Sequence, residues 1–206
     1  MNIDKLWRRN LVRSAQIFKS AEILDICTGT ADIPLAFAGR PWIKKITGLD
    51  FSREMLKIGR KKIAKKNHST AISLMYGDAL NLPFSENTFH VVTCGFGFRN
   101  LRDREKGLAE INRVLKKEGQ VLILELSSSQ KGIIKLLYNI YLKKIIPVLG
   151  WLLTGSFSAY KYFASSVSTF PHPEEVIKMF KNAGFNNTHC KKIMGGIVYL
   201  YVGYKN

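Results

Sequence analysis

The chain has 206 residues, 46% hydrophobic and 23% charged, a balance that suits one globular domain and argues against a disordered or fibrous chain. With 32 Lys and Arg against 15 Asp and Glu, its net charge is +17. That favours an anionic partner, a lipid head-group surface or nucleic acid, over a basic one, with plain surface solvation by lysines as the alternative. Cys27, Cys94 and Cys190 are widely spaced and form no Cys-x-x-Cys or Cys/His ligand pattern, so neither a disulfide framework nor a metal site is expected. The opening MNIDKLWRRNLV has no apolar signal core, and a reducing, cytoplasmic setting is expected.

Residues 21–27 (AEILDIC) read as a buried first strand. The run Asp25-Ile26-Cys27-Thr28-Gly29-Thr30-Ala31-Asp32 then turns into a helix beginning at 33–37. Gly29 allows a tight turn without side-chain bulk, so that nearby backbone N–H groups can face a ligand; a lone glycine after a strand is more often just a turn. Residues 45–50 (KITGLD) form a second strand with Asp50 at its end. An acid there can accept from ribose hydroxyls, as in dinucleotide folds. It can also cap the basic helix over 52–66, although Ser52 can do that and leave Asp50 free.

Residues 71–76 make a third strand, followed by Asp78 and Ala79 within GDALNLPF. An acid or amide in this place can accept from an adenine amino group, and Gly-Asp equally suits a loop. Residues 90–94 (HVVTC) are a fourth strand. A helix is predicted over 103–117 from Leu108, Ile111, Val114 and Leu115, and a fifth strand over 120–126 (QVLILEL). Strands alternating with helices predict a parallel sheet covered on both faces. Polar groups after three successive strands would meet at its carboxyl edge, where such sheets bind ligands. Gly-x-Gly-x-x-Gly is absent, which argues against NAD.

The segment 131–170 is rich in Ile, Leu and aromatic residues and lies in a stretch, Leu126 to Pro173, without Asp or Glu. Lys135, Lys143, Lys144 and the break at Pro147 argue against a membrane-spanning helix. Lys131, Lys135 and Lys143 fall within about 120° on a helical wheel. The segment is therefore an imperfect basic amphipathic one, suited to a membrane surface or to a lid over the site. A helix over 173–183 follows, with Pro173, Glu174 and Glu175 at its start and Gly184 past its end. Strands over 188–194 and 197–204 would form an antiparallel hairpin through Gly195 and Gly196.

Taken together, residues 24–32, Gly48 to Ser52, ALNLPF, VVTCGFGFRNL, RVLK, Ala183-Gly184-Phe185 and GGIVYLYVGYK resemble the ubiquinone/menaquinone biosynthesis C-methyltransferases along nearly the whole chain. The GFGFRN run and the closing GGIV…GYK are the specific parts; the cofactor motifs are shared by all class I methyltransferases. The resemblance implies an α/β, Rossmann-like class I methyltransferase fold over 1–206, a mostly parallel seven-stranded sheet ending in an antiparallel hairpin, with helices on both faces. It implies S-adenosyl-L-methionine as methyl donor, bound by Thr30, Asp50, Asp78 and Ala79 together with Asp25 and Gly29. A prenylated quinol, such as demethylmenaquinol, would be the acceptor, with an anionic membrane face, a homodimer or quinone-pathway proteins as further partners.

Arg99 and Asn100 follow the fourth strand beside the expected methyl position, and are the candidate catalytic residues. Arg99 is too basic to take a proton and would stabilise phenolate charge or act through a water, while Asn100 would orient the quinol oxygen. The other reading of Arg99 is a structural partner for Asp103 or Glu125. Tyr160 and Tyr162 suit either the quinol site or aromatic packing; His68 and His90 read as structural, and His172, before Pro173, suits a surface position more than an approach to the pocket.

Departures from the family pattern temper this. Ala31 replaces a second glycine, where a methyl would crowd the ligand if φ is positive. Lys117-Glu118-Gly119 replaces Pro-Gly-Gly, Ser158 and Ala159 stand before the Tyr-x-Tyr in place of acids, and Ser165 and Ser168 replace Glu and Arg. Trp7-Arg8-Arg9 comes early, where the family carries a longer lead with a Tyr-Asp element, so an incomplete donor lid is expected. Two other readings follow: a donor-binding protein with little activity that works in a complex, and, on charge alone, an RNA methyltransferase, for which no recognition module is visible.

Overall fold

The structure, a computed structural model, describes residues 3–17, 19–66, 71–127 and 157–206, with residues 157–160 described by backbone alone. In chain order the elements are α1 (Ile3–Ser14), β1 (Ala21–Ile26), α2 (Asp32–Phe37), β2 (Ile43–Asp50), α3 (Arg53–Lys65), β3 (Ile72–Tyr76), β4 (Phe89–Gly95), α4 (Arg104–Val114) and β5 (Leu115–Leu126). These are followed by α5 (Phe157–Ser168), α6 (Pro173–Asn182), β6 (Phe185–Ile193) and β7 (Val198–Lys205).

Among the described residues the strands make a 7-stranded sheet in the order β3-β2-β1-β4-β5-β7-β6. β1 pairs in parallel with both β2 and β4, and β7 runs antiparallel to both β5 and β6. Side chains alternate across a strand, so one run of apolar residues serves two cores. Ile23, Val91, Leu122 and Leu124 pack on one face with Leu11 of α1, Phe37 of α2 and Val167 of α5. Leu24, Val92, Val121 and Ile123 pack on the other with Leu108 of α4 and Phe180 of α6. The strand order runs outward in opposite directions from β1 and β4, which opens a crevice at their carboxyl ends.

Local chemistry sets the helix starts. Ser52 Oγ accepts from the Met55 N–H at 3.2 Å, and Asp103 Oδ1 accepts from the Lys106 N–H at 2.9 Å. At α6, His172 stands before Pro173 and its N–H donates to Glu175 Oε2 at 3.3 Å. This also places His172 at a helix start rather than in the crevice.

Two expected boundaries move. The helix predicted over 103–117 ends at Val114, because Leu115 turns to an extended conformation and pairs with Phe89 as the first residue of β5. Glu118 then adopts φ 61°, and the pairing resumes at Gln120 opposite Val91. The hairpin of β6 and β7 is closed by a short 3-10 turn at Met194–Gly196 rather than by two glycines alone. Helix α1 is an addition to the elements expected from the sequence. Most of the segment 131–170, through residue 156, lies outside the described residues, as does His68; the rest contributes α5. No helix among the described residues is long and apolar enough to cross a membrane.

Candidate functional site

A cavity of about 780 Å³ opens at the carboxyl ends of β1 to β4. Its floor is Asp25, which is 1% exposed. The parallel register sets Asp25 beside Thr93, whose hydroxyl donates to Asp25 Oδ1 at 2.6 Å, while the Thr28 hydroxyl donates to Oδ2 at 2.6 Å. Burial pushes the Asp25 carboxyl up to about 7, against the lowering effect of those two bonds and of the Arg8 charge.

The turn after β1 forms the near wall. Gly29 sits at φ +54°, a conformation that favours glycine, and a Cβ built there meets nothing within 4 Å. The glycine thus makes the turn and keeps the space above it clear. Gly97 answers it from the turn after β4, where a Cβ would lie 2.3 Å from Cys27 Cβ, so the two turns meet only because residue 97 is glycine. Thr30 and Asp32 line the same wall and are held from α3: Lys62 Nζ donates to Thr30 Oγ1 at 2.6 Å and to Asp32 Oδ1 at 2.9 Å. That pairing keeps the Asp32 carboxyl below its usual range despite partial burial.

Ala31 does adopt positive φ, at 64°, yet it is 0% exposed and packs in the core away from the cavity lining. The expected crowding of a ligand by its methyl therefore does not arise; the strain is local to the backbone.

Asp50 joins two elements at the rim. Its Oδ2 accepts from the Gly29 N–H at 2.7 Å and its Oδ1 from the Ser52 N–H at 2.8 Å. Each carboxylate oxygen can accept a further bond, so Asp50 can still receive hydroxyl donors from the cavity. Asp78 lies in an exposed turn after β3, with its Oδ1 accepting from the Leu80 N–H at 2.9 Å, and Ala79 is buried beside it. Phe51 and Met55, both largely exposed, flank this end of the cavity.

On the far side, Asn100 lines the cavity and its Oδ1 accepts from the Tyr162 hydroxyl of α5 at 3.3 Å. Arg99 lies outside the lining. Its guanidinium donates to Glu125 Oε1 at 2.7 Å, to the Phe96 carbonyl and to Ser166 Oγ at 3.2 Å. Its partner is thus Glu125; Asp103 caps α4 instead. Burial pushes the Glu125 carboxyl up, and the Arg99 charge opposes that.

The cavity therefore gathers Asp25, Gly29, Thr30, Asp50, Asp78, Ala79 and Asn100, and leaves Arg99 as a pillar behind them. Arg8, Cys27 and Phe96 also line it, and sequence reasoning missed them. No motif marks Arg8 itself; Trp7 and Leu11, one turn apart, are the only sequence signal for α1, the helix that carries it. His90 is away from the cavity lining, accepting the Glu22 N–H at Nδ1 across 3.1 Å. The Tyr160 side chain lies outside the described residues. No group of three His, Cys, Asp or Glu side chains among the described residues is placed to hold a metal ion.

The sequence matches the model of the ubiE/COQ5 methyltransferase family over residues 1–205. It is 39% identical over 204 residues to the ubiquinone/menaquinone biosynthesis C-methyltransferase UbiE of Geotalea uraniireducens, covering 98% of this chain and 86% of that protein. It is 37% identical over 202 residues to the demethylmenaquinone methyltransferase of Staphylococcus haemolyticus, covering 98% and 83%. The fold is similar to the crystal structure of a SAM dependent methyltransferase from Aquifex aeolicus, with a TM-score of 0.72 and 14% identity over 100% of this chain and 93% of that one.

Proposed function

Because the chain belongs to the ubiE/COQ5 methyltransferase family, we propose that it transfers the methyl group of S-adenosyl-L-methionine to a ring carbon of a prenylated quinol, as the names of its relatives suggest. The observation that carries this is the meeting of Gly29 and Asp50 across 2.7 Å at the rim of an open cavity of about 780 Å³. That volume suits a nucleoside-sized ligand with room beside it. The space left clear above Gly29 is the cradle a donor needs.

In this reading Asp50 accepts from the ribose hydroxyls, the turn at Asp78 and Ala79 takes the adenine edge, and Gly29 and Thr30 flank the chain between them. Bound there, S-adenosyl-L-methionine supplies an electrophilic sulfonium methyl. The protein's part is to hold a ring carbon at near-attack distance and to keep water away. The Asn100 side chain, fixed by Tyr162, is suited to hold the quinol oxygen whose proton loss makes the ring carbon nucleophilic. Arg99 supports Asn100 through the backbone between them and through Glu125. The acid-free stretch after β5 and the net charge of +17 fit an oily substrate drawn from the cytoplasmic face of an anionic membrane.

The test is a transfer assay with methyl-labelled donor, a demethylated prenylated quinol in detergent and total RNA in parallel tubes. Label in the quinol ring is the expected outcome. Donor binding without transfer to quinol, or label in RNA, would overturn the reading in favour of a binding protein or an RNA enzyme.

A further inference from the structure

We propose that Arg8 is the residue that receives the α-carboxylate of the methyl donor. The inference rests on the donor reading above and extends it to the amino-acid end of the ligand. With ribose at Asp50 and adenine at Asp78, that end must lie over β1 and β4, among Asp25, Cys27, Gly95 and Phe96. It carries both an ammonium and a carboxylate. The acids of the cavity, Asp25, Asp32, Asp50 and Asp78, can favour the ammonium but repel the carboxylate, which needs a cation.

Among the described residues two cations line the cavity, Arg8 and Arg102. Arg8 stands at the β4 end: its guanidinium carbon lies 5.5 Å from the centre of the Phe96 ring. Its charge reaches both Asp25 and Asp32, where it favours the ionised carboxylates. Arg102 lies beyond Asn100, on the acceptor side, and is exposed. Lys62 is already committed to Thr30 and Asp32 and does not line the cavity.

Arg8 is held for the task and free to do it. Trp7 packs against Phe96 with ring centres 5.9 Å apart, and Leu11 and Val12 are buried, so α1 is anchored over the crevice. The ion partner of Arg8 is Asp4, one turn back on the same helix, with side chains 21% and 50% exposed. Such a pair contributes only a few tenths of a kcal/mol and yields readily to a better anion. A guanidinium also matches a carboxylate in two parallel bonds, which an ammonium does not.

Calorimetry with three ligands reads this directly: S-adenosyl-L-methionine, its decarboxylated form, and methylthioadenosine, which lacks the amino-acid end. In Arg8→Gln, affinity for the first should fall roughly 10- to 100-fold, the loss of a charge-assisted contact. Affinity for the other two should stay within about twofold, which also shows that the variant is folded. Arg8→Lys should recover only part of the loss, and Arg102→Gln should show no such selectivity. Unchanged donor affinity in Arg8→Gln, equal loss for all three ligands, or selectivity in Arg102→Gln instead would overturn the assignment while leaving the donor reading standing. A wild-type protein that binds none of the three would sink the donor reading and this inference with it.

Discussion

Arg99 and Glu125 grip each other twice: the guanidinium donates to Glu125 Oε1 at 2.7 Å, and the Arg99 backbone N–H donates to Oε2 at 3.0 Å. The first bond ties a side chain and the second ties the turn after β4 to the end of β5. Because Glu125 is 0% exposed and Arg99 packs on Phe163, the contact is a buried pillar beneath Asn100.

Breaking one half of that pillar leaves the other half charged and buried. Glu125→Ala should therefore lose about 3–5 kcal/mol of folding stability, measured by urea denaturation. Replacing both residues, Arg99→Met with Glu125→Leu, should restore part of it, because an apolar pair of similar volume avoids the charge-desolvation cost while the Arg99 and Leu126 N–H groups lose their Glu125 acceptor. A double variant as unstable as the single one would show that the pair is not the source of the loss.

Asp25 gives the fold a pH dependence whose sign follows from its burial. Its carboxyl titrates near 7 in the folded chain against an ordinary value of 3.8, so the folded state holds the proton more tightly. The stability this supplies is fully present below about 4 and is lost as pH rises through about 7. Asp25→Asn should match the parent near pH 4 and exceed it at pH 8 by up to about 4 kcal/mol, since each tenfold change in proton affinity is worth about 1.4 kcal/mol. Urea midpoints at the two pH values check this, and a less stable Asn variant at pH 8 would contradict it.

The strain at Ala31 should be separable from ligand binding. With φ at 64° and its methyl in the core, Ala31→Gly should gain roughly 1 kcal/mol, less a small cavity cost, and leave donor affinity unchanged. Thermal denaturation and calorimetry on the same variant test both halves; altered affinity would show that the methyl reaches the site after all.

Much of the architecture was readable because the centres of β1, β4 and β5, at Ile23-Leu24, Val91-Val92 and Val121–Leu124, are buried on both faces and appear as short apolar runs. The acids at the strand tips were readable too, since Asp25, Asp50 and Asp78 each follow or end such a run. The helix after β4 comes out too long from periodicity because Leu115 fits the helical repeat of Leu108 and Ile111 as well as it fits a strand, and only its pairing with Phe89 decides. Arg99 is open to two readings because residue type cannot tell a cavity wall from a pillar one layer behind. That distinction depends on Glu125, which lies 26 residues on and points inward from another strand. Arg8 is hidden because α1 reaches the cavity through tertiary packing on Phe96, with no motif of its own.

The claim on which the rest stands is that Asp50 closes a donor site with Gly29, and calorimetric titration of S-adenosyl-L-methionine into the parent chain and Asp50→Ala tests it. The affinity should fall by about 1–3 kcal/mol in the variant, from the loss of charge-assisted bonds to the ribose and of the Gly29 contact. Equal affinity in the two proteins would contradict the account.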